Sequence, residues 1–175
     1  MTELVLPNDT NTLGNLMGGR LLHLMDVCAA IAGQRHSNRT VVTASVDSVD
    51  FRSAIRLGEV VVIRAVVNRA FTTSMEVGID VWAEDNRAGT RRHCNQAFYT
   101  FVAVDDDGRP TPVAPLAPET DEERRRYEGA ARRRELRLLL AGRLAPSDAD
   151  ALRLRLADLA LAPPGDETEK REPDA

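Results

Sequence analysis

The densest run of apolar positions lies at residues 20–34, where Leu21, Leu22, Leu24, Met25, Val27, Cys28, Ala29, Ala30, Ile31 and Ala32 are broken by His23 and Asp26. Apolar almost all the way round, this run predicts a helix buried on most of its faces, too short to cross a bilayer. Ahead of it, Leu4-Val5-Leu6 is a short strand candidate, and residues 7–14 crowd Pro, Asn, Asp, Thr and Gly into a loop.

After the helix the period changes to two. Residues 40–52 alternate with Val42, Ala44 and Val46 on one side and Val49 and Phe51 on the other, a phase change near Asp47-Ser48 that predicts a β-bulge. Residues 59–68 are rich in β-branched side chains. Residues 74–82 place Met75, Val77, Ile79 and Val81 on one face, and 92–104 carry Phe98, Tyr99 and Phe101. Short connections at 53–58, 69–73 and 85–89 favour antiparallel neighbours. A buried helix followed by long antiparallel strands predicts an α+β fold in which a sheet curls around a helix.

Asp107-Gly108 marks a turn, and residues 110–118 are proline-rich and extended. Thr120 with Glu123 forms a capping-box signature for a charged helix over 121–141. Ser147 with Asp150 is a looser cap for a second helix ending before Pro163, with Leu152, Leu156 and Leu159 as its apolar stripe. Residues 163–175 are charged, contain proline and read as disordered. The expected organisation is a domain over 1–113, a helical extension over 114–162 and a tail over 163–175.

Composition narrows the classes. The chain of 175 residues has 43% hydrophobic residues, enough for a sizeable core, and a net charge of −4, which argues against nucleic acid as a partner. No apolar run is long enough to span a membrane and the N-terminus lacks a basic n-region, so a soluble, cytoplasmic protein is expected. Cys28, Cys94, His23, His36 and His93 match no metal spacing, and no metal is expected.

Asp26 is the most informative position, because a carboxylate amid apolar neighbours is costly unless partnered, and a raised pKa there suits a general base. Gly14-Asn15-Leu16-Met17-Gly18-Gly19 runs into the helix, where exposed backbone N–H groups could hold a developing oxyanion. A Gly-rich turn without chemistry, and a buried Asp satisfied for structural reasons alone, remain open. His23 precedes Asp26 by one helical turn and could pair with it or simply pack. The runs Arg124-Arg125-Arg126 and Arg132-Arg133-Arg134, interleaved with glutamates, read as a solvated helix with i,i+4 pairs.

Several ordered stretches together resemble the acyl-CoA thioesterase family of the hotdog fold: LPNDTNTLGNLMGG, LLHLMDVCAAIAGQRH, VVTASVDSVDF, Thr73-Ser74-Met75-Glu76-Val77, FYTFVAVDDDGRPTPV and PETDEERRR. The resemblance spans residues 4–134. It implies a long central helix wrapped by a curved antiparallel sheet, with sheets of two protomers joined edge to edge and such dimers assembled as a trimer of dimers. It further implies that Asn15 and Asp26, from opposite protomers, are catalytic. Asp26 would activate water, Asn15 would orient water or substrate, and the amide around Gly18 or Gly19 would polarise the thioester carbonyl. The substrate is expected to be acyl-CoA, with CoA part of the substrate and no cofactor. Where family members often carry Gly and a basic residue, this chain has Ala70-Phe71-Thr72, so Arg69, with Ser74, is assigned the CoA contact. A hotdog hydratase or dehydratase using His23 with Asp26, and a non-catalytic acyl-CoA-binding module, are the alternatives.

Overall fold

A computed structural model describes residues 1–47 and 49–161, without the side chains of 155, 156 and 158–161. Its described residues fall into two compact units, Met1–Arg126 and the residues from Tyr127 onward. In the first, β1 (Thr2–Leu4), α1 (Gly18–Ser37), β2 (Thr40–Val46), β3 (Val60–Ala70), β4 (Ser74–Asp85) and β5 (Thr90–Val104) make one helix and a five-stranded sheet. The sheet order is β1-β3-β4-β5-β2, with every pairing antiparallel.

Strand alternation builds the core. Met75, Val77, Ile79, Val81 and Ala83 of the central strand β4 are all fully buried, and the four larger side chains contribute about 1.5–3 kcal/mol each. From α1, Leu21, Leu24, Met25, Ala29 and Gly33 pack on them at helical spacing. The expectation of a helix buried on most faces is corrected here. Leu22, Val27 and Cys28 are half-buried and Ile31 is 39% exposed, because the sheet covers only one face of the helix. The helix ends at Asn38, whose left-handed backbone (φ 51) lets its N–H return to the Gln34 carbonyl.

The first strand lies two residues earlier than expected, and β2 stops at Val46 rather than 52. Its phase change also comes earlier. Thr43 pairs with Phe101 and Ser45 with Thr100, leaving a bulge at Ala44, so the inward positions run Val41, Thr43 and then Val46 opposite Tyr99. A second bulge, at Asn68, turns both Asn68 and Arg69 onto the outer face beside Glu76. There the buried Asn68 donates through Nδ2 to Glu76 Oε1 at 3.0 Å. A Cβ at Gly78 would meet that amide at 2.6 Å, so only glycine fits.

α2 (Asp121–Leu140) opens on the expected capping box: Glu123 N–H donates to Thr120 Oγ1, and Glu123 Oε2 accepts the Thr120 and Glu119 amides. Those donors hold the Glu123 carboxyl below its usual range. In the second unit, α3 (Asp150–Leu161) is not capped by Ser147, which lies in the 3-10 turn Pro146–Asp148. Glu135 of α2 caps it instead, accepting the Ala151 and Leu152 amides at 3.1 and 2.8 Å. The tail over 163–175 and the side chains of Leu156 and Leu159 lie outside the described residues.

Candidate active site

The loop before α1 is a set of nested turns. Asp9 accepts Arg20 Nε through Oδ1 at 2.9 Å and the Met17 amide through its carbonyl at 2.9 Å, tying the loop's base to the helix start. Within it, Asn11 Oδ1 accepts the Leu13 and Asn15 amides at 2.9 and 3.2 Å, and the Asn11 N–H donates to the Asn15 carbonyl. Gly14, at φ +71, supplies the left-handed step that lets this turn close. Two backbone donors thus hold the Asn11 carboxamide oxygen inward, and among the described residues its amide nitrogen has no acceptor. Asn15 takes part through its backbone, bridging to Arg56, with its side chain half-buried.

Met17 caps α1 without a side-chain hydrogen bond. Among the described residues the N–H groups of Gly18, Gly19 and Arg20 have no acceptor, and both glycines are exposed. A carbonyl oxygen gaining negative charge fits this end of the helix.

Asp26 stands on the third turn of α1, half-buried rather than enclosed. Thr43 of β2 donates its hydroxyl to Asp26 Oδ1 at 2.7 Å, fixing the carboxylate's orientation. Tyr99 of β5 lies fully buried on the same inner side. Burial, and secondarily the Asp26 charge, push its hydroxyl up to about 12, so it stays neutral in the working range. β2 forms the outer edge of the sheet with Val42, Thr43, Ala44 and Val46 exposed, so Asp26 sits beside an unpaired strand edge. Residue type and spacing do not single out Thr43. Its signal is its place in the VVTASVDSVDF stretch, but facing Asp26 depends on the register that sets Thr43 opposite the inward Phe101.

One ion pair holds the loop's other side. Glu59, nearly buried, takes both guanidinium branches of Arg92 at 2.7 Å, and Arg92 also donates to the Ala54 carbonyl. Glu59 accepts the Arg56 amide as well, while Ile55 accepts the Leu16 amide. The 54–59 turn and the Asn11 loop are thereby locked to β5. The Arg92 hydrogen bonds outweigh burial and hold the Glu59 carboxyl below its usual range. A depressed carboxylate stabilises the fold above its unfolded value near 4.5 and loses that contribution as pH falls through the lower folded value. Glu59→Ala is expected to cost about 3 kcal/mol by calorimetry at neutral pH, since it strands a partly buried guanidinium. Its stability should also vary less with pH below about 4.5 than that of the parent chain.

The other expected residues do not gather here. Arg69 and Ser74 share the outer face with Glu76, opposite the face of Met75 and Asp26, so this chain alone brings no CoA contact from them to Asp26. His23 is exposed and, among the described residues, makes no hydrogen bond to Asp26. The paired arrangement a hydratase reading needs is absent there. On α2, Glu122 pairs with Arg126 and Glu128 with Arg132 at i,i+4, as a solvated helix requires. Among the described residues no cluster of metal-binding side chains forms, and no helix is long and apolar enough to cross a membrane.

Residues 13–90 match the thioesterase superfamily. The chain is 43% identical over 122 residues to an uncharacterized acyl-CoA thioester hydrolase, YkhA, of Bacillus subtilis, covering 70% of this chain and 71% of that protein. Its fold superposes on an apo-hexameric acyl-CoA thioesterase with a TM-score of 0.78 at 43% identity, over 81% of this chain and 90% of that one. An acyl-CoA hydrolase of Staphylococcus aureus, solved with butyryl coenzyme A, gives 0.73 at 32% identity over 91% and 93% of the two chains. Alanine variants of one Asn, one Asp and one Thr of that hydrolase have also been solved. With a core sheet curled over one helix and relatives matched over most of both lengths, the chain belongs to the acyl-CoA thioesterase family of the hotdog fold.

Proposed function

We propose that this protein hydrolyses acyl-CoA to a free fatty acid and CoA in a site shared by two protomers. The carrying observation is the Asp26 carboxylate, oriented by Thr43 at 2.7 Å beside an open sheet edge. Asp26 takes a proton from water as its oxygen attacks the thioester carbonyl carbon. Collapse of the tetrahedral intermediate breaks the C–S bond, and the departing thiolate takes that proton back from Asp26. Asn11, through its unbound amide nitrogen, and the Gly19 N–H supply donors to the carbonyl oxygen.

Asn11 is preferred to Asn15 for this role on spacing. In the S. aureus hydrolase the substituted Asn and Asp are fifteen residues apart and the Thr follows seventeen later. Asn11, Asp26 and Thr43 reproduce both intervals without a gap. Asn15 then serves the loop through its backbone.

Helix geometry supports sharing between protomers. Asp26 lies seven residues beyond Gly19, about 10 Å along the axis. That separation argues against water held by Asp26 and a carbonyl held at Gly19 of the same helix forming one site. A second protomer joined along β2 would bring its own loop to this Asp26. A homodimer on that edge, assembled further into a hexamer as in the apo-hexameric relative, completes the reading, with cytoplasmic fatty-acid metabolism as its setting. The test is CoA thiol release across saturated acyl-CoAs of increasing chain length, alongside an enoyl-CoA hydration assay. Thiol release without hydration is expected; binding without release would overturn the reading.

A further inference from the structure

Phe51 is a large aromatic left 53% exposed, yet its place is built. The fully buried Asn95 donates Nδ2 to the Asp50 carbonyl at 2.8 Å, and the Arg52 amide donates to the Cys94 carbonyl at 3.3 Å. Both peptide units beside Phe51 are thus pinned to β5. The ring tip stands over the start of α1: a Cβ at Gly18 would lie 3.4 Å from Phe51 Cζ and 3.7 and 3.8 Å from its two Cε atoms. A phenylalanine that only filled the core would bury its ring. This one is clamped on both sides, turns its edge to the glycine that opens the helix, and leaves about half its surface uncovered beside three amides that have no acceptor among the described residues.

We propose that Phe51 is a substrate-seating residue: its exposed ring is the wall on which the thioester end of the CoA arm lies while the carbonyl oxygen points at the Gly18–Gly19 amides. The inference rests on the thioesterase reading and names a contact within that site. A flat apolar wall there excludes water from one side of the amides, strengthening their pull on the carbonyl, and limits how the sulfur and its methylene neighbours can rotate.

Because the contact is with the thioester end, its loss should be felt equally by full and truncated substrates. Phe51→Ala is expected to lower kcat/KM at least tenfold for both butyryl-CoA and butyryl-N-acetylcysteamine, with Tm within a few degrees of the parent. Unchanged kinetics, a loss confined to butyryl-CoA, or activity recovered simply by assaying at lower temperature would each overturn the proposal. If the parent releases thiol from no acyl-CoA across the chain-length series, the thioesterase reading itself has failed. An independent arm needs no alanine variant of Phe51. In an Asp26→Ala background, where substrate persists, Phe51→Trp adds an indole to the native Trp82. Butyryl-CoA is expected to quench or shift the added emission relative to the Asp26→Ala parent, and an unaltered spectrum at saturating butyryl-CoA would count against the contact.

Discussion

Asp26→Asn is expected to lower kcat for acyl-CoA hydrolysis by about 10³-fold while leaving Tm nearly unchanged. The substitution keeps the shape of the side chain and an oxygen to accept the Thr43 hydroxyl, so the link between α1 and β2 survives. What disappears is the ability to take a proton from water. KM should move little, because the carboxylate acts on the attacking water and not on the bound CoA. Steady-state kinetics and a thermal scan on the same preparation check both halves. Retention of more than a tenth of kcat would remove Asp26 from the role of base, and a large fall in Tm would make the carboxylate structural.

Asn11→Ala is expected to cost about 10²-fold in kcat/KM, the scale of losing one donor to a developing oxyanion. Asn15→Ala should cost much less, since its contribution to the loop is through its backbone. The reverse order would return the role to Asn15. The two inactive proteins also test the shared site. Mixed in equal amounts and allowed to exchange subunits, Asn11→Ala and Asp26→Asn chains should recover about a quarter of parental activity. Half the dimers are then mixed, and each mixed dimer carries one intact site related by two-fold symmetry. No recovery after exchange has been demonstrated by mass would place both residues of a working site on one chain.

Much of the fold is legible along the chain because it is written in local period. A residue in β4 alternates between core and outer face whatever the rest of the molecule does, so Met75, Val77, Ile79 and Val81 declare the inner face by their spacing alone. The Thr120–Glu123 cap is readable for the same reason: its partners are three residues apart. Asp26 stands out because a carboxylate among ten apolar neighbours needs a partner, and the glycines at the start of α1 mark an approachable helix end.

Only tertiary structure decides who meets whom. Thr43 reaches Asp26 because it shares the inner face with Val41, and a bulge at Ala44 then brings Val46 to that face, whereas the pattern alone puts the phase change near Asp47. The bulge at Asn68 sends Arg69 outward with Ser74, away from the carboxylate whose substrate it is expected to hold. Glu59 finds Arg92 across 33 residues, and α3 takes its cap from Glu135 sixteen residues back rather than from its own Ser147. Even the exposure of Ile31 on an apolar helix depends on how far one sheet can wrap. Amino-acid order determined the elements, since propensity and alternation act over a few residues. Register, bulge position and the completion of the site are settled by long-range packing, because shifting a strand by one residue sends every side chain to the opposite face while its local pattern stays the same.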